Sequence, residues 1–225
     1  MLYQIPNVLT PEEVAECMKI LQEATCTDGR DTANGAAAKV KKNNQIGPRN
    51  QTGQAAREIV MKAVQSNKRF HSVAFPYRFT LPMFNKHVSG DAYGFHYDTP
   101  MRVLHNGTRL RVDLSATIFL SQPDEYDGGG LIIQDTFGQH AFKLPAGHMV
   151  IYPAGSLHQV NEIKKGTRIA AVLWMQSTIH NNEDRAIMAD LSEVLASLYE
   201  KNVDTPISLK MSGAYNNLIR RFSEV

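Results

Sequence analysis

Hydrophobic spacing divides the chain into a helical beginning, a strand-rich middle and a helical end. Thr10-Pro11-Glu12-Glu13 reads as a capping box with proline in the first turn. A helix is therefore expected from there to about Ala24, with Val14, Met18 and Leu21 on one face. Residues 25–48 are rich in Gly, Asn, Thr and Lys and read as loop, with one strand around Ala37 to Val40. Within that loop Lys39, Lys41 and Lys42 read as a solvated patch. A second helix fits Gln51 to Ser66, with Val60 and Val64 inward, and the two helices are expected to brace the outside of a sheet.

From Pro76 onward the period shortens towards two and strand formers thicken. Tyr77 to Thr80 and Pro82 to His87 are candidate strands. Val112 to Leu120 alternates with Leu114, Ala116, Ile118 and Leu120 on one face and Asp113, Ser115, Thr117 and Phe119 on the other. The second set is expected to line a pocket. Asn106-Gly107 favours a tight turn inside a lid-like hairpin or loop from Met101 to Arg109. Its Arg102, His105 and Arg109 read either as contacts for an acidic or polar substrate or as plain loop charges. Tyr126-Asp127-Gly128-Gly129-Gly130 is a turn into the strand Leu131-Ile132-Ile133, and no P-loop Lys-Ser/Thr pair follows it. The tail returns to helical spacing, with Ile187, Leu191, Leu195 and Leu198 on one helix and Met211, Ala214, Leu218 and Phe222 on another. Asp204-Thr205-Pro206 separates them. The expected organisation is a helical and loop support over 1–77, a β core over 78–177 and a helical extension over 178–225, whose helices pack on the core or form a homo-oligomer interface.

Composition sets bounds on this picture. With 225 residues and 43% hydrophobic content the chain can bury one good core without staples. A formal net charge of +2 makes no electrostatic case for nucleic-acid binding. Cys17 and Cys26 lack CxxC spacing, so reduced thiols are expected. No secretory leader or apolar run long enough to span a membrane is present, and the reading is cytoplasmic.

The candidate chemistry lies in the β-rich middle. His96 and Asp98 are two residues apart, so on a strand both reach one point, with Phe95 and Tyr97 expected behind them. The apolar run Met149-Val150-Ile151-Tyr152 leads towards a second histidine, His158. Two histidines and one carboxylate make the facial triad of a non-haem Fe(II) site, which leaves coordination positions open. A lone HxD is a weak signal, but the ordered set is not. Ten residues after His158, Arg168 heads a strand on which Ala170, Val172 and Trp174 share its face, and its guanidinium suits a bidentate carboxylate clamp. His140 and His148 read as exposed non-ligands.

Several ordered motifs carry a family resemblance: Tyr93-Gly94-Phe95-His96-Tyr97-Asp98, Arg111 to Ser121, Tyr126 to Gly129, Lys143 to Gly147, Tyr152 to His158, and Gly166-Thr167-Arg168 leading to Trp174. In these the chain resembles the 2-oxoglutarate-dependent Fe(II) dioxygenases of the prolyl and lysyl hydroxylase class, most closely the bacterial PKHD-type hydroxylases. The resemblance implies a mainly β fold with flanking helices around a double-stranded β-helix, a jelly roll like that of the cupins. It implies iron on His96, Asp98 and His158, 2-oxoglutarate held at its far carboxylate by Arg168, dioxygen as oxidant and L-ascorbate as the reductant that rescues oxidised iron. Phe119 stands near a tyrosine that helps hold the co-substrate in collagen-type and hypoxia-type enzymes. Ser115 or Thr117 would then supply that donor, with Trp174 walling the pocket. Trp174 also occupies the place of a second arginine typical of nucleic-acid demethylases, and Gly130 replaces the acid of the family's Gly-Gly-Glu turn. The substrate stays open among a peptidyl prolyl or lysyl side chain, an amino acid and a small metabolite. A non-enzymatic cupin-like metal binder or sensor is the alternative, and a zinc hydrolase ranks third for want of a nearby general base.

Overall fold

The structure, a computed structural model, describes residues 2–33, 35–104, 106–203 and 205–224, with Thr205 described for its backbone only. The expected contact by His105 and the Asp204 end of the helix break lie outside the described residues.

Alternation in the middle of the chain builds two facing antiparallel sheets. Among the described residues the larger sheet runs in the order Tyr3–Ile5, Met149–Pro153, Leu114–Phe119, Ile163–Ser177, Met83–Val88, Asn44–Ile46 and Thr27–Asp28. Tyr126–Gly128 and Pro76–Phe79 add to the long Ile163–Ser177 strand. The smaller sheet runs Gly138–Phe142, Leu131–Asp135, Leu157–Val160, Ala92–His96 and Lys41–Lys42. Leu114, Ala116 and Ile118 turn one way and pack with Ile151 and Leu173. Against that layer lie Cys17 and Leu21 of the helix Pro11–Glu23 and Val60 and Val64 of the helix Gln54–Ser66. Phe119, Val150 and Tyr152 turn the other way and meet Leu131, Ile133 and Val160 between the sheets. Each buried Val, Leu, Ile or Phe among these contributes about 1.5–3 kcal/mol, so the two apolar layers hold the sheets at a fixed separation. The gap between them also receives the polar side chains described below.

The first helix starts as expected: Thr10 Oγ1 accepts from the Glu13 amide at 3.2 Å and the Glu13 carboxylate accepts from the Thr10 amide at 2.9 Å. The Asn106-Gly107 hairpin forms as well, pairing Met101–Val103 with Arg109–Arg111 around Gly107 at φ +81°. Both cysteines are free. No helix among the described residues is long and apolar enough to cross a membrane.

Four expectations need correction. Ala37 to Val40 is no strand; Gly35–Lys39 is a short helix, in keeping with its three alanines, and the strand begins only at Lys41. The helix placed at Gln51 opens with a 3₁₀ turn and becomes α-helical at Gln54, and a further helix, Lys68–Ala74, follows it. Phe95 and Tyr97 do not pack behind the ligands: they are 39% and 61% exposed. In the tail, Asn182–Glu200 and Thr205–Phe222 are helices, but the first buries Arg185, Met188 and Ala189 and leaves Ile187 in solvent.

One turn tests the register around the site. Gly166 has φ +83°, and an added Cβ would fall 2.1 Å from the Glu125 carbonyl oxygen. Gly166→Ala combines a left-handed backbone with a backbone clash, so a loss of about 2–3 kcal/mol is expected. In a thermal melt this reads as a drop of about 4–12 °C. An unchanged melting temperature would show that the turn relaxes freely.

Candidate metal and co-substrate site

Strand pairing brings the distant ligands together. His158 and His96 are register partners on neighbouring strands, and Asp98 follows just beyond the Ala92–His96 strand. One ligand atom from each of the three lies within 4.8 Å of the others. His158 Nε2 is 3.8 Å from Asp98 Oδ2, and the imidazole centroids are 4.2 Å apart. Both histidines are buried, at 8% and 4% exposure.

Local backbone selects the tautomer. His96 Nδ1 is 2.8 Å from the Gly94 carbonyl and His158 Nδ1 is 2.9 Å from the Ser156 carbonyl. A carbonyl only accepts, so each Nδ1 carries the proton and each Nε2 lone pair faces its partners. Burial, with the nearby His158 ring adding to it, pulls the His96 pKa down to about 4 and keeps that imidazole neutral. Ser115 Oγ donates to Asp98 Oδ2 at 2.6 Å, and Tyr93 stacks on His96 at 3.5 Å. Two imidazoles and one carboxylate on one side of a point, with no fourth ligand in the cluster among the described residues, fit a divalent iron that must keep positions open.

Arg168 lines the same cavity from the larger sheet. It is 2% exposed, forms no salt bridge among the described residues, and leaves its Nε without a hydrogen bond. Burial lowers its pKa, yet a guanidinium stays protonated, so the site holds a buried cation that lacks an acid. Around it stand further polar groups: the Asn85 Oδ1 and both ring nitrogens of His87, which lack a hydrogen-bond partner, and the hydroxyl of Tyr126, whose charged neighbour is Arg168 itself. His87 is opposite Arg168 in the strand register, and burial followed by the Arg168 charge holds it well below the usual histidine range. A carboxylate ligand would answer the cation and accept from one His87 N–H and the Tyr126 hydroxyl; the Asn85 Oδ1 is itself an acceptor and needs a donor.

Of the residues proposed from sequence, His96, Asp98, His158, Arg168, Ser115, Thr117 and Trp174 all line this cavity. Three details differ. The Ser115 hydroxyl is already spent on Asp98 and Thr117 lies within reach of the Tyr152 phenol. Asp113 does not face the pocket: it pairs with Arg111 at 2.8 Å, with His180 at 3.1 Å and with the Ser177 amide at 2.9 Å. Lys41 is no part of a solvated patch but is 5% exposed inside the cavity lining. Sequence reasoning also passed over Tyr93, Asn85, His87 and Tyr126. Alternation within Met83–Val88 could have raised Asn85 and His87, which sit opposite Ala170 and Arg168.

Residues 82–176 match the model of the 2OG-Fe(II) oxygenase superfamily. The chain is 42% identical to a PKHD-type hydroxylase of Burkholderia ambifaria and 40% identical to the PKHD-type hydroxylase YbiX of Escherichia coli, each over the full length of both chains. Among solved structures it resembles a prolyl hydroxylase from Trichoplax adhaerens in complex with a hypoxia inducible factor fragment. That likeness has a TM-score of 0.58 at 17% identity and covers 83% of this chain and 86% of the other. It supports the jelly-roll fold.

Proposed function

We propose, since this chain belongs to the PKHD-type hydroxylases of the 2OG-Fe(II) oxygenase superfamily, that His96, Asp98 and His158 hold its iron and that Arg168 holds its co-substrate. The family makes the protein an Fe(II)- and 2-oxoglutarate-dependent hydroxylase. The observation that carries the residue assignments is the buried, acid-free Arg168 in one cavity with a convergent histidine, histidine and aspartate set.

Bound together, Fe(II) and 2-oxoglutarate supply the oxidising chemistry that converts dioxygen and the keto acid into succinate, carbon dioxide and a hydroxylated substrate. The protein's own share is positional. The Gly94 and Ser156 carbonyls fix the imidazole orientations, and the Ser115 hydroxyl fixes the Asp98 carboxylate beside them. Arg168 neutralises and orients the far carboxylate, with Asn85, His87 and Tyr126 as polar company and Phe119 beneath its guanidinium at 5.3 Å. Leu131, Val160 and Val172 line the cavity with apolar surface that excludes water. L-ascorbate is the expected rescuing reductant, as the family resemblance implies.

The test is an anaerobic titration of the Fe(II)-loaded protein with 2-oxoglutarate, followed through the visible charge-transfer band of an iron-bound keto acid. The band is expected in the wild type and absent in His158→Ala. Stoichiometric iron without a band would overturn the reading in favour of a metal-binding barrel.

A further inference from the structure

The cavity beside the triad continues past Trp174. Thr32, Met83, Arg102 and Trp174 also line a second cavity of about 520 Å³, whose walls include Met61, Phe79, Leu81 and Met101. That volume lies within the range of sites that enclose small organic ligands. The Arg102 guanidinium carbon sits 3.3 Å from the Trp174 ring centroid, so this stacked pair stands where the two cavities meet. Lys41 is brought to the same region by its strand pairing with Tyr93, and its Nζ is 3.2 Å from both Thr32 Oγ1 and Gln45 Oε1.

Charge is out of balance here. Neither Lys41 nor Arg102 forms a salt bridge among the described residues, and the Arg102 Nε has no hydrogen-bond partner. The carboxylate whose field reaches both is Asp98. Asp28 also acts on Lys41, but it is already bidentate with Arg30. On the reading above, Asp98 is committed to iron. Divalent iron and Arg168 then carry three positive charges, and Asp98 with dianionic 2-oxoglutarate carries three negative ones. Lys41 and Arg102 remain as two sheltered cations with no anion of their own, an arrangement that is costly unless a ligand completes it.

We propose that the substrate is an organic anion whose carboxylate lies between Lys41 and Arg102 and whose apolar body fills the cavity beyond Trp174. The proposal rests on the hydroxylase reading and narrows it. A lysyl side chain would add a third positive charge to this region, and a neutral prolyl ring would leave both cations unanswered. A small carboxylate-bearing molecule answers the charge and the apolar walls together.

The test uses protein loaded with Mn(II) and saturating 2-oxoglutarate, so that no turnover occurs and the Arg168 site is filled. Alkanoic and arylalkanoic acids of graded length are titrated calorimetrically, each beside its primary amide and amine. Some of the acids are expected to bind at least about tenfold more tightly than their amides, a difference of about 1.4 kcal/mol, and the amines not at all. Arg102→Gln, on the partly exposed hairpin, is expected to remove most of that preference while 2-oxoglutarate affinity changes less than about threefold. Lys41→Gln should do the same where its melting temperature shows a folded chain. Equal binding of acid and amide, no binding by any acid, or an undiminished preference in Arg102→Gln would overturn the proposal. So would an acid that displaces 2-oxoglutarate, since it would be sitting at Arg168. Failure of 2-oxoglutarate itself to bind would instead sink the hydroxylase reading, so the two failures are distinct.

Discussion

Asp98→Ala is expected to lose tight iron binding and with it all 2-oxoglutarate turnover. Among the described residues the carboxylate is one of three convergent ligands and the one anionic ligand, so its removal leaves two imidazoles facing a divalent cation. Loss of an outer partner of a metal ligand typically costs about 10–100-fold in affinity or activity, and loss of the ligand itself should exceed that range. Ser115→Ala supplies the comparison, because it removes only the hydroxyl that holds Asp98 Oδ2 at 2.6 Å. Its iron affinity is expected to fall within the outer-partner range, with activity retained in part. Competition for Fe(II) against a chelator of known affinity measures both variants, and circular dichroism checks that each remains folded. Asp98→Ala protein that keeps wild-type iron affinity would remove Asp98 from the ligand set.

Much of this arrangement is readable in the chain because period-two patterns survive where both faces of a strand are constrained. Ser115 and Thr117 alternate with Leu114, Ala116 and Ile118, and Arg168 alternates with Ile169, Ala171 and Leu173, so the inward set follows from the apolar set. The convergence of His96, Asp98 and His158 was legible too, since His158 follows an apolar strand; in the fold it pairs with His96, although Asp98 reaches the cluster from just past its strand's end. Lys41 was not legible. It stands among Lys39 and Lys42, and only pairing with the distant Ala92–His96 strand buries it. Phe95 and Tyr97 fail in the opposite sense: their apolar character asks for burial, and both stay exposed. The strands Thr27–Asp28 and Asn44–Ile46 are too short to show any period, and exist because Met83–Val88 offers an edge to pair with. The helix Lys68–Ala74 did leave a signal in Asn67, which caps it by accepting from the Phe70 amide at 2.8 Å.

Arg168→Ala should produce the complementary defect, with iron retained and the keto acid lost. The guanidinium lies outside the triad and contributes no ligand atom, so Fe(II) affinity is expected to stay within about threefold of wild type. Truncating one partner of a buried ion pair costs about 3–5 kcal/mol, because the other charge is left desolvated and alone. Here the stranded charge would be the far carboxylate of 2-oxoglutarate, and the loss corresponds to at least about a hundredfold rise in its dissociation constant. Truncation also empties the space over Phe119, so Arg168→Met is the better-filled control and should show the same loss with less disturbance of the strand. Arg168→Lys separates charge from geometry. A lysine keeps the cation but gives up the planar fork, and should recover only part of the affinity. Anaerobic titration of iron-loaded variants, read by calorimetry and by the charge-transfer band, measures all three. If Arg168→Met binds 2-oxoglutarate as tightly as wild type, the far carboxylate is held elsewhere. Asn85, His87 and Tyr126, the polar groups beside the same cation, would then be the first places to look.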